Sequence, residues 1–291
     1  MKDKILTILV TGANGQLGNE LQAIAPQFPY CQFLFVTKEE LNIGNFNDPI
    51  KYFAGHSIDY CINCAAYTAV DKAESEKETA FLINADAVAV LAKICCKNNT
   101  QLIHISTDYV FDGTSNQPYK ENDKTCPVSV YGESKLQGEQ LAIKYCPSTI
   151  IIRTAWLYSS FKNNFVKTML RLMKEKDSIH VVSDQVGCPT YCADLALAIM
   201  QVIESGKSKE NPGIYHYTNA GITNWHEFAV EIKNLSGSSC AVNPITTAQY
   251  PTAAKRPAYS VLDTTKITST FGLVIPAWEE SLKRCLQAII L

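Results

Sequence analysis

The chain has 291 residues, 46% of them hydrophobic and 19% charged, which is typical of a globular protein with one large domain or two joined ones. Its net charge of -2 argues against a nucleic-acid partner and against a membrane surface held by bulk charge. No stretch approaches the roughly 20 apolar residues of a transmembrane helix. The 11 scattered cysteines favour a reducing cytoplasm, so we expect a cytoplasmic protein with 11 free thiols.

Apolar runs of strand length alternate with segments of helical period in the first half of the chain. The expected strands are ILTILVTG, CQFLFV, DYCINCAA, QLIHIST and TIIIRTAW. The expected helices are Gly15 to about Ala25, Asp48 to Ala54, Lys77 to Asn98 and Val130 to Tyr145. Runs that are apolar throughout are typical of parallel strands buried on both faces and joined by crossover helices. The pattern predicts an α/β fold with a doubly wound parallel sheet, Rossmann-like.

The alternation loosens after Trp156. The expected elements there are helices at Phe161 to Lys174, Asp194 to Glu204, Trp225 to Leu235 and from Ala277, and strands at SIHVVSD and GIYHYTN. We expect residues 1 to 155 to form a dinucleotide-binding domain, with strands near residues 179 to 219 returning to its sheet. Residues 156 to 178 and 220 to 291 are then a smaller C-terminal substrate-binding domain.

Cys61 and Cys64 form a CxxC motif inside an apolar strand. No second pair follows at the spacing of a zinc site, so alternating core packing is the better interpretation. The sequence predicts no metal site.

The segment TGANGQLG places Gly12, Gly15 and Gly18 directly after the first strand and at the start of a helix. Glycines there let the backbone turn tightly and approach a pyrophosphate, which sits on the N–H groups of the helix N-terminus. A glycine-rich turn without a ligand is the alternative, and only the context of strand and helix favours a nucleotide.

Hydroxyl and amine side chains follow the strand QLIHIST. Thr107 ends this strand, and Tyr131 and Lys135 lie four residues apart at the start of the next long helix, so they share one face of it. A phenol needs a nearby cation to exchange protons at neutral pH, and an ammonium one turn away can supply it. Without the other motifs, the better interpretation is that Tyr131 and Lys135 are two exposed side chains on one face of a helix.

Taken together, these motifs resemble the extended short-chain dehydrogenase/reductase family and, within it, the dTDP-4-dehydrorhamnose reductases. The matching blocks are CAAYTAVDKAE (64 to 74), STDYVFDG (106 to 113), YGESKLQGE (131 to 139), RTAWLY (153 to 158), DQVGCPT (184 to 190) and RPAYSVL (256 to 262). The resemblance spans nearly the whole chain, and the blocks in register are far more specific than any one of them.

The resemblance implies roles for three sets of residues. The residues expected to bind the dinucleotide are Gly12, Asn14, Gly15, Gln16, Leu17, Asn42, Ile43, Ala65, Ala66, Thr68, Tyr131 and Lys135. The residues expected to catalyse are Thr107, Tyr131 and Lys135. The residues expected to bind substrate are Thr107, Asp108, Trp156 and Arg256. Arg256 suits a diphosphate because a planar guanidinium can donate two parallel hydrogen bonds to phosphate oxygens. A surface arginine without a ligand is an equally good interpretation. Gln185, Pro189 and Thr190 either shape the nucleotide pocket or form a structural turn.

The cofactor preference depends on the end of the second strand. Thr37 and Lys38 follow it directly and suit a 2′-phosphate, whereas Glu39 and Glu40 just beyond could turn toward a free ribose hydroxyl. We therefore expect NADPH, held in part by Lys38, with NADH working less well.

Two departures from the family pattern bear on binding. Asn42 stands where the family often has Asp, which weakens one contact on the adenine side. Some members hold magnesium with acidic residues at a dimer interface. Glu20 matches one such position, but no others match, so Mg and a homodimer stay open.

The resemblance implies a reductase of nucleotide-sugar metabolism that converts dTDP-4-dehydro-L-rhamnose to dTDP-L-rhamnose. Its partners are then small molecules, a sugar nucleotide and a nicotinamide dinucleotide. A reductase of another 4-keto sugar nucleotide is the alternative within the enzyme class. A noncatalytic regulatory subunit of the same fold is the alternative outside it.

Overall fold

A computed structural model of the chain describes residues 5 to 290. The strands are, in chain order, β1 (Leu6–Thr11), β2 (Cys31–Val36), β3 (Tyr60–Asn63), β4 (Gln101–Thr107), β5 (Ile150–Thr154), β6 (Leu157–Tyr158), β7 (Ser178–Val182), β8 (Val186–Gly187), β9 (Thr190–Tyr191), β10 (Gly213–His216), β11 (Thr223–Asn224) and β12 (Ala241–Ile245). Six of them form one parallel sheet in the order β2-β1-β3-β4-β5-β10. The strand order reverses around β1, and ligands of such sheets bind outside the carboxyl ends of the strands at this switch point.

Helices cover both faces of this sheet. They are α1 (Gln16–Ile24), α2 (Asn47–Ala54), α3 (Val70–Ala73), α4 (Lys77–Phe81), α5 (Ala87–Lys97), α6 (Val130–Tyr145), α7 (Phe165–Glu175), α8 (Cys192–Glu204), α9 (Trp225–Ser236), α10 (Thr265–Phe271) and α11 (Trp278–Ile290). Within β1, Ile8 and Val10 pack with α1 and α8 on one face, whereas Leu9 packs with α5 on the other. All three side chains are fully buried, so the doubly wound fold predicted from the continuous apolar runs is confirmed.

The strand expected near residue 179 lies outside the main sheet. Of the two strands predicted to return, β10 does pair with β5, but β7 pairs in parallel with β12. Exposed and buried residues alternate along the start of β7, so only one of its faces needs covering, and its buried Ile179 and Val181 share a core with α7 and α9. That part of the prediction was wrong. The division into two domains stays a prediction.

One helical segment is more apolar than the sequence analysis allowed. A π-helical turn joins α4 to α5, and residues Lys77–Lys97 are long and apolar enough by length and composition to cross a membrane. Half of the segment is buried inside the protein, as expected for a helix that packs on its own core. The expectation that no stretch approaches the roughly 20 apolar residues of a transmembrane helix was therefore wrong. Half of this segment nevertheless packs against the protein's own core.

Seven of the eleven cysteines are buried, whereas Cys96 and Cys126 are exposed. All eleven are free, and Cys61 of β3 is fully buried while Cys64 lies just past the end of that strand. Over residues 5 to 290, no group of three or more His, Cys, Asp and Glu side chains is arranged to hold a metal ion.

Candidate active site

The glycine turn after β1 is shaped by close backbone contacts. Gly12 has a φ of +67°, and a Cβ there would lie 2.7 Å from the backbone nitrogen of Ala65. A Cβ on Gly18 would lie 2.5 Å from the carbonyl oxygen of Gly12. Only glycine fits these two positions without a shift of the backbone, and the turn leads directly into the N-terminus of α1 at Gln16. This geometry suits an anion such as a pyrophosphate.

The residues predicted to hold the dinucleotide lie in one cleft of about 800 Å³ at the carboxyl edge of the sheet. They are Gly12, Asn14, Gly15, Gln16, Leu17, Lys38, Asn42, Ile43, Ala65, Ala66, Thr68, Tyr131 and Lys135. Ligand pockets in proteins commonly measure about 300 to 1,000 Å³, so the cleft is large enough for an extended ligand. The structure brings all of these side chains together, while their role in binding stays a prediction.

Sequence reasoning missed part of the lining. Lys162 and Asn163 of the loop before α7 also line the cleft. This loop was expected to begin a helix at Phe161, but Asn164 accepts a hydrogen bond from the Lys167 backbone N–H and caps α7, which begins four residues later at Phe165. The residues FKNN, with a cation and two amides after a strand, are the signal that could have identified a loop.

Asn42 uses its side chain locally. Its Oδ1 accepts a hydrogen bond from the backbone N–H of Gly44 at 3.0 Å, which stabilises the turn that follows β2. Asn42 still lines the cleft. An amide can close this turn without adding a negative charge near the nucleotide.

Tyr131 and Lys135 line the cleft, and Thr107 is hydrogen-bonded to the phenol of Tyr131. Thr107 ends β4, and Ser129 caps α6 so that Tyr131 lies in the first turn and Lys135 in the next. Lys135 is only 2% exposed. The ring of Tyr131 packs edge-on against Tyr109, with 5.5 Å between centroids. The expected catalytic set therefore converges on one place.

Burial dominates the acidity of Tyr131. It raises the pKa of the phenol to about 12, Asp108 raises it further by repulsion, and hydrogen bonding to Thr107 opposes both. The expected lowering of this pKa by Lys135 is absent, because the ammonium is turned elsewhere. Its Nζ donates to the carbonyl oxygen of Ile105 at 2.6 Å. Tyr131 therefore carries its proton at neutral pH, as a proton donor must.

Burial also makes Lys135 easier to deprotonate. It lowers the pKa of the amine to about 8, although the negative charge of Glu139 and that of a Cys64 thiolate act to raise it. Both oxygens of Glu139 already accept hydrogen bonds from Arg153, at 2.9 and 2.7 Å. The Lys135 ammonium therefore has no carboxylate of its own.

Asp108 is a buried acid next to this set. Its Oδ1 accepts from Thr107 Oγ1 at 2.9 Å, and burial raises the pKa of its carboxyl to about 6. The side chain is 2% exposed, so it lies beneath the cleft surface unless a neighbour moves. Its predicted contact with the sugar nucleotide stays a prediction.

The other predicted substrate residues, Trp156 and Arg256, are not among the residues that line the cleft. Trp156, at a φ of +49°, stacks on Trp225 with 3.7 Å between centroids. Arg256 pairs with Asp71 at 2.7 Å and lines a second cavity of about 460 Å³ together with Gln185. Arg256 does not line the larger cleft.

Two more positions had an open interpretation. Pro189 and Thr190 are buried, and Thr190 belongs to β9, which pairs with β6. Thr190 therefore has a structural place in this strand pair, and a role of either residue in shaping the nucleotide pocket stays a prediction.

The matched magnesium position does not present a free carboxylate. Glu20 in α1 is 4% exposed and accepts a hydrogen bond from Ser159 Oγ at 2.6 Å. Burial raises the pKa of this carboxyl. These residues do not fit an exposed metal site, so no step is assigned to a metal.

Comparison with known proteins identifies the family of the chain. The family model described as RmlD substrate binding domain matches residues 6–290. The dTDP-4-dehydrorhamnose reductase of Aggregatibacter actinomycetemcomitans is 41% identical over 95% of this chain and 97% of its own. The crystal structure of a dTDP-4-dehydrorhamnose reductase from Clostridium acetobutylicum superposes with a TM-score of 0.93 at 42% identity, covering 98% of this chain and 100% of that one.

A structure of dTDP-4-dehydrorhamnose reductase from Bacillus anthracis in complex with NADP is also similar. Its TM-score is 0.92 at 38% identity, and the alignment covers 97% of this chain and 99% of that one. Fold, glycine turn, catalytic set and near-complete coverage thus point the same way, and the chain belongs to the dTDP-4-dehydrorhamnose reductase family.

Proposed function

We propose that this protein uses NADPH to reduce the C4 keto group of dTDP-4-dehydro-L-rhamnose, giving dTDP-L-rhamnose for cell-surface polysaccharide biosynthesis. The observation that carries the proposal is that Tyr131 and Lys135 line the cleft that the glycine turn opens, with Thr107 hydrogen-bonded to Tyr131. Relatives at about 40% identity over nearly the full chain carry this enzyme's name.

The cleft fits a nicotinamide dinucleotide. Gly12 and Gly18 let the turn pack tightly against neighbouring backbone at the N-terminus of α1, where a pyrophosphate is held well. Lys38 lines the far end of the same cleft and would hold a 2′-phosphate. When bound, NADPH supplies the hydride for the keto carbon.

The chain's own residues manage the proton. Tyr131 is protonated at neutral pH and donates its proton to the oxygen that becomes the alcohol. The hydroxyl of Thr107, which donates to Asp108 in this structure, would turn its proton to the same oxygen and stabilise the developing charge. To stabilise the phenolate that remains, the ammonium of Lys135 would turn from the Ile105 carbonyl toward Tyr131, one helical turn away on α6.

A direct assay tests the function. Purified protein with NADPH is offered dTDP-4-dehydro-L-rhamnose and, separately, other 4-keto sugar nucleotides, and oxidation of NADPH is followed. We expect the rhamnose precursor to give the highest kcat/KM, without any added protein. A higher kcat/KM for another sugar nucleotide would favour the alternative reductase, and no turnover of any would favour the noncatalytic subunit.

The proposal extends to the cell. A cytoplasmic location is supported by the eleven free thiols, which persist best in a reducing compartment. A homodimer stays a prediction, to be tested by light scattering of the purified protein.

A further inference from the structure

A row of polar side chains crosses the apolar sheet directly beneath α6. Thr11, Asn63 and His104 are register partners on β1, β3 and β4, so their side chains share one face. Each is at most 1% exposed. Polar groups buried this deeply are costly unless they are hydrogen-bonded, so the contacts of the row need an explanation.

The row is hydrogen-bonded from end to end and finishes at Lys135. Thr11 Oγ1 lies 2.6 Å from Asn63 Oδ1, and Asn63 Nδ2 lies 3.0 Å from His104 Nδ1. His104 Nε2 in turn lies 3.4 Å from Lys135 Nζ. The imidazole therefore connects the interior of the sheet to the amine at the floor of the cleft.

The chemistry of the imidazole fits this contact. Burial and the nearby ammonium both hold the pKa of His104 well below its usual value, so the ring is neutral and has one donor and one acceptor nitrogen. An ammonium only donates, so Nε2 must accept from Lys135 and Nδ1 must carry the proton. This tautomer requires the Asn63 amide to be rotated by a half-turn, so that its Oδ1 accepts from Nδ1–H. With Asn63 Nδ2 facing Nδ1, as in the structure, Nε2 carries the proton and its partner is a neutral amine.

We propose that His104, oriented by Asn63 and Thr11, is a positioning residue that holds the amine of Lys135 at the floor of the cleft. The inference rests on the proposed catalytic role of Lys135. It goes further by assigning the inner contact of that amine to a side chain in the neighbouring strand, which the motifs of the sequence did not indicate.

The other groups around Lys135 do not replace this contact. Cys64 after β3 and Glu139 on α6 both act on its pKa, but Glu139 is held by Arg153 and Ser106, and Cys64 is a thiol whose pKa is raised by burial. The carbonyl of Ile105 accepts one N–H of the amine. His104 is therefore the side chain that sets the direction of the second N–H.

Two variants of similar size separate positioning from packing. In His104→Gln the side-chain amide reaches the place of Nε2 and can still accept from Lys135, whereas in His104→Asn it reaches only the place of Nδ1. We expect His104→Asn to lower kcat by roughly tenfold, as loss of a hydrogen bond to a charged group does, and His104→Gln to retain most of kcat.

The pH profile adds a readout that packing would not move. Without its acceptor the ammonium is less stable, so the alkaline limb of kcat/KM should move to lower pH by about one unit in His104→Asn and stay in place in His104→Gln. Equal losses of kcat in both variants, with equal drops in melting temperature and unmoved pH profiles, would overturn the proposal.

A spectroscopic test does not depend on turnover. The protein contains 5 histidines, so ¹⁵N-histidine spectra are simple, and His104→Gln identifies the ring of interest. We expect Lys135→Met to shift the Nε2 resonance of His104. An unshifted resonance would overturn the proposal. If wild type reduces no sugar nucleotide, the proposed function fails, and this spectrum still decides whether His104 holds Lys135.

Discussion

Tyr131 is enclosed by Thr107, Asp108 and Tyr109 at the start of α6, and its surroundings keep the phenol protonated. An acid of this kind is useful only when negative charge develops next to it, which happens when a ketone receives a hydride. Thr107 can share that charge through its hydroxyl. Tyr131 therefore keeps its proton until negative charge develops on the oxygen of a ketone beside it.

Replacing Tyr131 by phenylalanine removes the proton donor and keeps the ring. We expect Tyr131→Phe to lower kcat by about 10² to 10⁴-fold, the usual contribution of general acid catalysis, with little change in NADPH affinity. Steady-state kinetics and fluorescence titration of NADPH measure the two quantities. A variant with wild-type kcat would remove Tyr131 from its assigned role.

Asp108 is expected to cost stability at neutral pH. Burial raises the pKa of its carboxyl from 3.8 to about 6, so folding disfavours the ionised form. This cost is absent below the unfolded pKa and complete above the folded one, and two pH units correspond to at most roughly 3 kcal/mol. Asp108→Asn should therefore raise the melting temperature more at pH 7.5 than at pH 4. A gain that is equal at both pH values would contradict this account.

At the scale of elements, the end of β2 decides the cofactor. Thr37 follows the strand, and its backbone N–H donates to Glu40 Oε2 at 2.8 Å. This contact turns one of the two glutamates toward the loop backbone and away from a ribose. Lys38 is exposed and lines the cleft, so the nearest charged side chain at the strand end is a cation. The arrangement favours a 2′-phosphate.

Lys38→Ala tests this preference. Loss of the cation should raise KM for NADPH by about tenfold and leave KM for NADH nearly unchanged, because only NADPH carries the extra phosphate. The comparison requires kcat/KM for both cofactors in wild type and variant. An unchanged ratio of the two, or equal use of both cofactors by wild type, would place Lys38 outside the site.

The elements show what sequence can and cannot predict. Continuous apolar runs identified the strands of the main sheet, and the spacing of Tyr131 and Lys135 placed both on one face of α6. The sequence of one strand does not determine which strands pair with it or in which register. His104 reads as one polar residue in an apolar run, and only the register of three strands places it beside Asn63 and under Lys135.

At the scale of the whole molecule, Arg256 joins distant parts of the chain. It reaches from the C-terminal region to Asp71 of α3, with its two nitrogens 2.7 and 3.1 Å from the two carboxylate oxygens. The Arg256 side chain is 25% exposed and that of Asp71 is 45% exposed. A pair this open typically contributes no more than about 1 kcal/mol, so a diphosphate can compete with Asp71 for the guanidinium.

Two variants distinguish a phosphate contact from a structural tie. If Arg256 grips the diphosphate of the substrate, Arg256→Ala should raise KM for the sugar nucleotide by about tenfold with kcat nearly intact, since it removes binding that substrate and transition state share. Asp71→Asn frees the guanidinium and should leave KM unchanged or lower. If the pair serves mainly to fix the C-terminal segment near the cleft, both variants lose the same tie, and KM should rise equally in both. Kinetics of the two variants under identical conditions, with melting temperatures as the measure of folding, therefore decide between the two roles.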